Sequence, residues 1–160
     1  MINFKISYRG DFESIQDAVS AVNKALVNPA FLLTIDKVVE FDFSSDGHRP
    51  LTGSQVSNLL AGTNIVATVQ TYKGWFWSKA LAYVNPGTKV ININSRKIFR
   101  DYDKKKNIAS LAGTILHEYT HVIDSFHPFE MGHGDNYASG KENSVPYLVG
   151  ELLQEFLLKQ

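Results

Sequence analysis

Three features of the sequence predict an α+β fold in a single domain spanning residues 1–160. The chain has 160 residues and a mass of 17.9 kDa, enough to bury one substantial core and too little for two ordinary domains. Its 44% apolar and 20% charged residues are the composition of a globular protein, and no repeat, low-complexity tract or Pro/Gly/Ser-rich linker interrupts it. Segments that alternate every two residues are interleaved with segments of helical period, so strands and helices follow one another along the chain.

The opening segment MINFKISYRGDF alternates apolar and polar residues and reads as a first strand. Phe12, Ile15, Val19, Val22 and Leu26 then recur at helical spacing, with Asp11 as N-cap and Pro29 beyond the end. VVEFDF sets Val39, Phe41 and Phe43 against Glu40 and Asp42, the pattern of a second strand. Thr52 and Gln55 form a capping box, Leu51 and Val56 a hydrophobic staple, and Gly62 closes that short helix. Two β segments follow, Ile65 to Tyr72 and Lys79 to Asn94, the second folded into a hairpin by Asn85-Pro86-Gly87. The longest helix runs from about Ile108 behind an Asn107 cap, with Ile108, Leu111, Ala112, Ile115, Tyr119, Val122 and Ile123 in one stripe. Ser144 as N-cap, Pro146 in the first turn, and Leu148, Leu152, Leu153, Phe156 and Leu157 mark a last helix.

Composition narrows the function classes. Sixteen basic and sixteen acidic side chains give a net charge of zero and a pI near 7.0, so no long-range field draws nucleic acid or anionic lipid, and neither is an expected partner. No cysteine is present, which removes disulfide scaffolds, thiolate zinc fingers and thiol nucleophiles; any metal must use His, Asp or Glu. No apolar run approaches the roughly 20 residues of a membrane span, and the N-terminus lacks a signal-peptide core, so the default expectation is cytoplasmic. Association with a phage particle and non-classical export are the alternatives. The signatures G-x-G-x-x-G, G-x-x-x-x-G-K-[ST] and G-x-S-x-G are all missing. No pattern encodes an oligomeric state.

The chemistry is concentrated in the long helix and the loop after it. Four of the five histidines, His117, His121, His127 and His133, fall within seventeen residues. His117 and His121 are four apart on a helix, so their directions differ by about 40° and both rings reach one ion. Glu118 lies between them, completing His-Glu-x-x-His as HEYTH, a pattern in which two imidazoles bind zinc and the carboxylate handles protons for the attacking water. Both histidines lie away from the Ile115, Tyr119, Val122 stripe, so one helix face can be buried while the other meets a cleft. On HEYTH, and on the order of elements around it, the sequence resembles the zincin zinc metallopeptidases. That resemblance implies a zincin-like domain with a small mixed sheet, an active-site helix and a C-terminal helix. It also implies one Zn2+ per chain and a third ligand from the C-terminal part.

Three residues compete for that third position. His127, ten residues after His117, has the metzincin spacing, but Asp124 stands where that group places a turn-forming glycine, and Met131 comes too early for a Met-turn. His133 lies in Gly132-His133-Gly134-Asp135-Asn136, whose glycines free the loop to return an imidazole to the ion, with Asp135 placed to orient it; this run, followed by SVPYLVG, resembles small zincin-like proteins of bacteria and phages. Glu151 on the last helix would be the gluzincin-type ligand. The order of preference is His133, His127, Glu151.

With three protein ligands, a fourth position stays open for hydrolytic chemistry. Glu118 is then the general base and acid, and Tyr147, in SVPY, is the candidate donor to the developing oxyanion, the alternative being a core aromatic. Asp124 either accepts from a ligand histidine or caps the helix end. A peptide or protein substrate is the expected partner, held extended along an exposed strand for which KVININSR is either the edge or an interior member. There, Asn92 and Asn94 alternate with Ile91 and Ile93, which reads as one wetted and one buried face. Trp75, Phe76 and Trp77 either line a substrate rim or a partner surface or else cover the sheet, Lys104 to Lys106 read as a solvated loop, and His48 as an isolated loop residue. The competing function is a non-catalytic zincin-fold module, associated with a phage particle or toxin, that uses metal only for stability. The ligand order is checked by zinc titration: His133→Ala should lower zinc affinity far more than His127→Ala, and the reverse order would restore the metzincin spacing.

Overall fold

The structure, a computed structural model, describes residues 4–41, 49–75, 77–98, 104–127, 131 and 143–160. Along them run β1 (Ile6–Tyr8), α1 (Glu13–Ala25), α2 (Pro29–Asp36), α3 (Gly53–Gly62) and β2 (Ala67–Tyr72). The second half holds β3 (Ala82–Val84), β4 (Val90–Asn94), α4 (Ser95–Ile98), α5 (Lys104–Phe126) and α6 (Val145–Leu158). The fold is a mixed α+β arrangement with six helices and one four-stranded sheet among the described residues. No single helix among them is long and apolar enough to cross a membrane. Phe43, His48, Phe76 and His133 lie outside the described residues.

The strand order is β1-β2-β4-β3, with β1 and β4 parallel to β2 and β3 antiparallel to β4. The antiparallel step follows from the turn Asn85-Pro86-Gly87-Thr88. Gly87 takes φ 77°, open to glycine because it has no Cβ, and Thr88 N donates to Asn85 O at 3.1 Å. In β2, Ala67 and Val69 are buried while Thr68 and Gln70 are exposed, so on this strand one face is covered and the other wet. The covering layer is helical: α1 packs on β1, α5 on β4 and β3, and α6 lies against α5. Ile15, Val19, Val22, Ile91, Ile93, Ile115, Tyr119, Val122, Val149 and Leu153 form the shared core.

Two buried polar side chains fix the N-terminal part. Asn23, on α1, accepts from Lys5 N and Ile6 N (3.0 and 3.1 Å) and donates to Ile6 O (2.8 Å), so it stands in for a neighbouring strand at the β1 edge. Lys5 donates from Nζ to Ala61 O and Thr63 O, both at 2.7 Å, and satisfies carbonyls at the end of α3. Burial lowers the pKa of its ammonium.

Several elements depart from the sequence reading. The capping box of α3 is present in full and the hairpin forms as expected, but residues 38–41 form no strand. Val38 O accepts from Gly53 N and Phe41 N donates to Leu51 O, so this segment pairs with the approach to α3 instead of the sheet, leaving Val39 exposed and Phe41 buried. Pro29 lies beyond the end of α1, as expected, but it also opens a second helix that the sequence reading did not include. It is the first residue of α2, capped by Asn28, whose side chain accepts from Ala30 N at 2.9 Å. The N-cap of α1 is Phe12 and not Asp11, and α5 begins at Lys104, so Lys104 to Lys106 are its first turn and not a loop. Asn107 therefore lies inside α5, where its amide donates to Ile98 O (3.4 Å) and ties the helix to α4.

The three acceptor and donor roles of Asn23 predict that Asn23→Ala costs about 2 kcal/mol or more, because buried backbone groups of β1 lose their partners. Chemical denaturation checks this; an unchanged midpoint would show that β1 does not depend on that side chain.

Candidate functional site

The rotation of α5 is set by what it buries. Ile115, Leu116, Tyr119, Val122 and Ile123 are fully enclosed, and the Tyr119 hydroxyl donates to Ile65 O at 2.6 Å, tying the helix to the entry of β2. Burial pushes the pKa of that phenol up. With those residues committed to the core, His117 and His121 come to rest half-buried, and Glu118 is only 8% exposed.

A second helix completes the site because α5 and α6 cross at two glycines. A Cβ on Gly113 would lie 2.6 Å from Gly150 O, and one on Gly150 would lie 2.7 Å from Gly113 O and 3.4 Å from His117 Cβ. The crossing places Tyr147, at the start of α6, edge-on to His117 with ring centroids 4.6 Å apart. Between the two helices and β3 opens a cleft of about 610 Å³, lined by Ala80, Leu81 and Ala82 on the sheet side. Ser110, Gly113, Thr114, His117 and Glu118 line it from α5, and Tyr147, Gly150, Glu151 and Gln154 from α6.

The imidazole pair has a specific geometry. His117 Nε2 and His121 Nε2 lie 3.3 Å apart, with ring centroids at 5.1 Å and planes at 69°. Two nitrogens bound to one tetrahedral zinc at about 2.0–2.1 Å would be separated by about 3.3 Å. The pair therefore fits a shared ion. Among the described residues no group of three His, Asp or Glu side chains is placed to hold a metal. His127 is exposed and follows the helix: its N–H donates to Ile123 O (2.9 Å), and α5 stays helical through Asp124. His127 stands just past the end of α5, and it forms no metal-holding group of three with the pair. Glu151 is exposed and shares the cleft, and His133 is outside the described residues.

The remaining candidates fall in definite places. Tyr147 is 38% exposed at the cleft, not a core aromatic. Asp124 accepts from Met131 N at 3.1 Å, a loop tie just beyond the helix. β4 is interior and β3 is the sheet edge beside the cleft, which settles the strand left open by the sequence. Asn92 and Asn94 are both buried, not wetted: Gln70 and Tyr83 cover Asn92, and Gly74 N donates to Asn94 Oδ1 at 3.1 Å. Trp75 and Trp77 are each 73% exposed, so they do not cover the sheet. Gly113 and Gly150 escaped the sequence reading. Their signal would have been two glycines at inward positions of two otherwise well-formed helices.

No family model, no curated protein and no solved structure matches this chain.

Burial raises the Glu118 carboxyl from its ordinary 4.5 to about 7. Its folded pKa lies above its unfolded value, so the folded state holds an extra proton between the two. Stability from this group is complete below about pH 4.5 and is lost as pH rises towards 7, on the order of 3 kcal/mol in all. In chelator-treated protein, Glu118→Gln should therefore gain stability relative to the parent across that window, read by denaturant melts at several pH values. Parallel pH profiles for the two proteins would show that the carboxyl is not desolvated.

Proposed function

We propose that the protein is a zincin-type zinc metallopeptidase, with His117 and His121 as ligands, His133 as the third and Glu118 as general base and acid. The observation that carries this reading is the 3.3 Å separation of the two Nε2 atoms, with His117 of that pair and Glu118 both lining the cleft. The mixed sheet, the helix bearing HEYTH and the C-terminal helix that frames it are the parts such a fold requires, and they support the zincin-like assignment.

Zinc, when bound, supplies Lewis acidity to a scissile carbonyl and lowers the pKa of water. The chain's own contributions follow from placement. Among the described residues β3 has one unpaired edge beside the cleft, and its backbone groups can hold a peptide extended without regard to side-chain identity. Glu118 takes a proton from the attacking water and returns it to the leaving amine, in a cleft wall where little solvent competes. Tyr147 stands against His117 with its ring at the cleft, where its hydroxyl can donate to the oxyanion that develops on the carbonyl.

Elemental mass spectrometry of protein purified without added metal should find about one zinc per chain. Glu118→Gln should keep that zinc and lose peptide cleavage by at least about a hundredfold. Absence of zinc with no uptake on supply would remove the ligand assignment, and zinc binding without Glu118-dependent cleavage would favour the non-catalytic module.

A further inference from the structure

Trp75 and Trp77 form a stacked pair, with ring centroids 5.3 Å apart and planes at 20°, at a loop tip between β2 and β3. Two grooves flank the pair, and Lys73, Lys79, Arg96 and Lys97 line them with no acidic side chain among the described lining residues. This local charge belongs to a wider asymmetry. From Arg49 to Arg100, both included, the sequence has seven basic residues and no Asp or Glu, so a neutral chain carries a strongly cationic middle. One groove also reaches Asn94, which is fully buried. Its Oδ1 accepts from Gly74 N and Arg96 N, while its Nδ2 has no hydrogen-bond partner among the described residues. A buried amide donor left unpaired beside a groove is costly unless an acceptor enters.

The chain runs from Trp77, Ser78 and Lys79 directly into Ala80, Leu81 and Ala82 of the cleft wall. Three residues span at most about 11 Å, so a strand lying along β3 reaches the tryptophans within a few residues. We propose that this platform docks an acidic, extended peptide segment, with carboxylates on the Lys/Arg groups, a backbone or side-chain oxygen on Asn94 Nδ2, and apolar or aromatic side chains on the indoles. Within the peptidase reading, on which this role rests, that segment is the part of the substrate distal to the scissile bond. Lipid and nucleic acid would satisfy the cations and the indoles, but only a polypeptide also pairs with the free edge of β3.

The chain has only two tryptophans, both in this platform, so intrinsic emission reports on it alone. The test titrates the full-length Glu118→Gln chain with a synthetic Asp/Glu-rich peptide and with its Lys-rich counterpart. Saturable change with the acidic peptide only, weakened about tenfold by Arg96→Glu and by raised salt, is the expected result. Arg96 is an exposed residue, so its reversal leaves the core intact; Trp75→Ala, also exposed, gives the same reading by anisotropy of a labelled peptide. No response, an equal response to the Lys-rich peptide, or tighter binding of oligothymidylate or phosphatidylserine vesicles overturns the proposal. Zinc-loaded parent protein separates the two readings. Acidic peptide that is bound but never cleaved sinks the peptidase and leaves the platform, whereas cleavage indifferent to peptide charge and to Arg96→Glu sinks the platform alone.

Discussion

Backbone contact between two helices is the constraint on which the candidate site depends. At Gly113 and Gly150 there is no room for a methyl group on either side, so α5 and α6 approach more closely than side chains would allow. The first consequence is positional: Tyr147 meets His117, and Glu151 and Gln154 reach the same cleft as Glu118. The second is that the histidine is backed by a wall, because Gly150 sits against the base of the His117 side chain. An imidazole whose stem is packed loses little freedom on binding an ion.

The other face of α5 does the complementary task. Tyr119 sits inside the HEYTH motif, yet it points away from the cleft and anchors to Ile65. Thr120 bonds back to the carbonyl of His117 at 2.6 Å and Ser125 to that of His121 at 3.0 Å, so the backbone carrying the pair is braced turn by turn. The motif thus contains its own support: residues of chemistry alternate with residues that fix the rotation of the helix.

What could be read from the sequence was what depends on local chemistry. The Thr52/Gln55 capping box, the Pro-Gly turn and the stripe of α5 are each specified by neighbours within a few residues, and each formed as expected. The pairing of His117 with His121 followed from helix geometry alone. What failed depended on contacts distant in the chain. Residues 38–41 have strand alternation but pair with the approach to α3; Asn92 and Asn94 look wetted until Gln70, Tyr83 and Gly74 cover them. The order of strands in the sheet, and hence which one borders the cleft, is invisible to periodicity because β3 and β4 follow each other and both alternate. The Gly113 to Gly150 approach joins helices whose separate patterns hold no trace of the partner.

The free edge of β3 has a cost outside any binding event. An unpaired strand is a template for another strand, and the most available one in a concentrated solution belongs to a second copy of the same chain. β3 is only three residues long, and Lys79 and Lys89, both exposed, lie before it and in the connection between it and β4. Two copies meeting edge to edge would bring cations against cations. Those lysines thus oppose pairing of two copies along this margin of the sheet, the margin that borders the cleft.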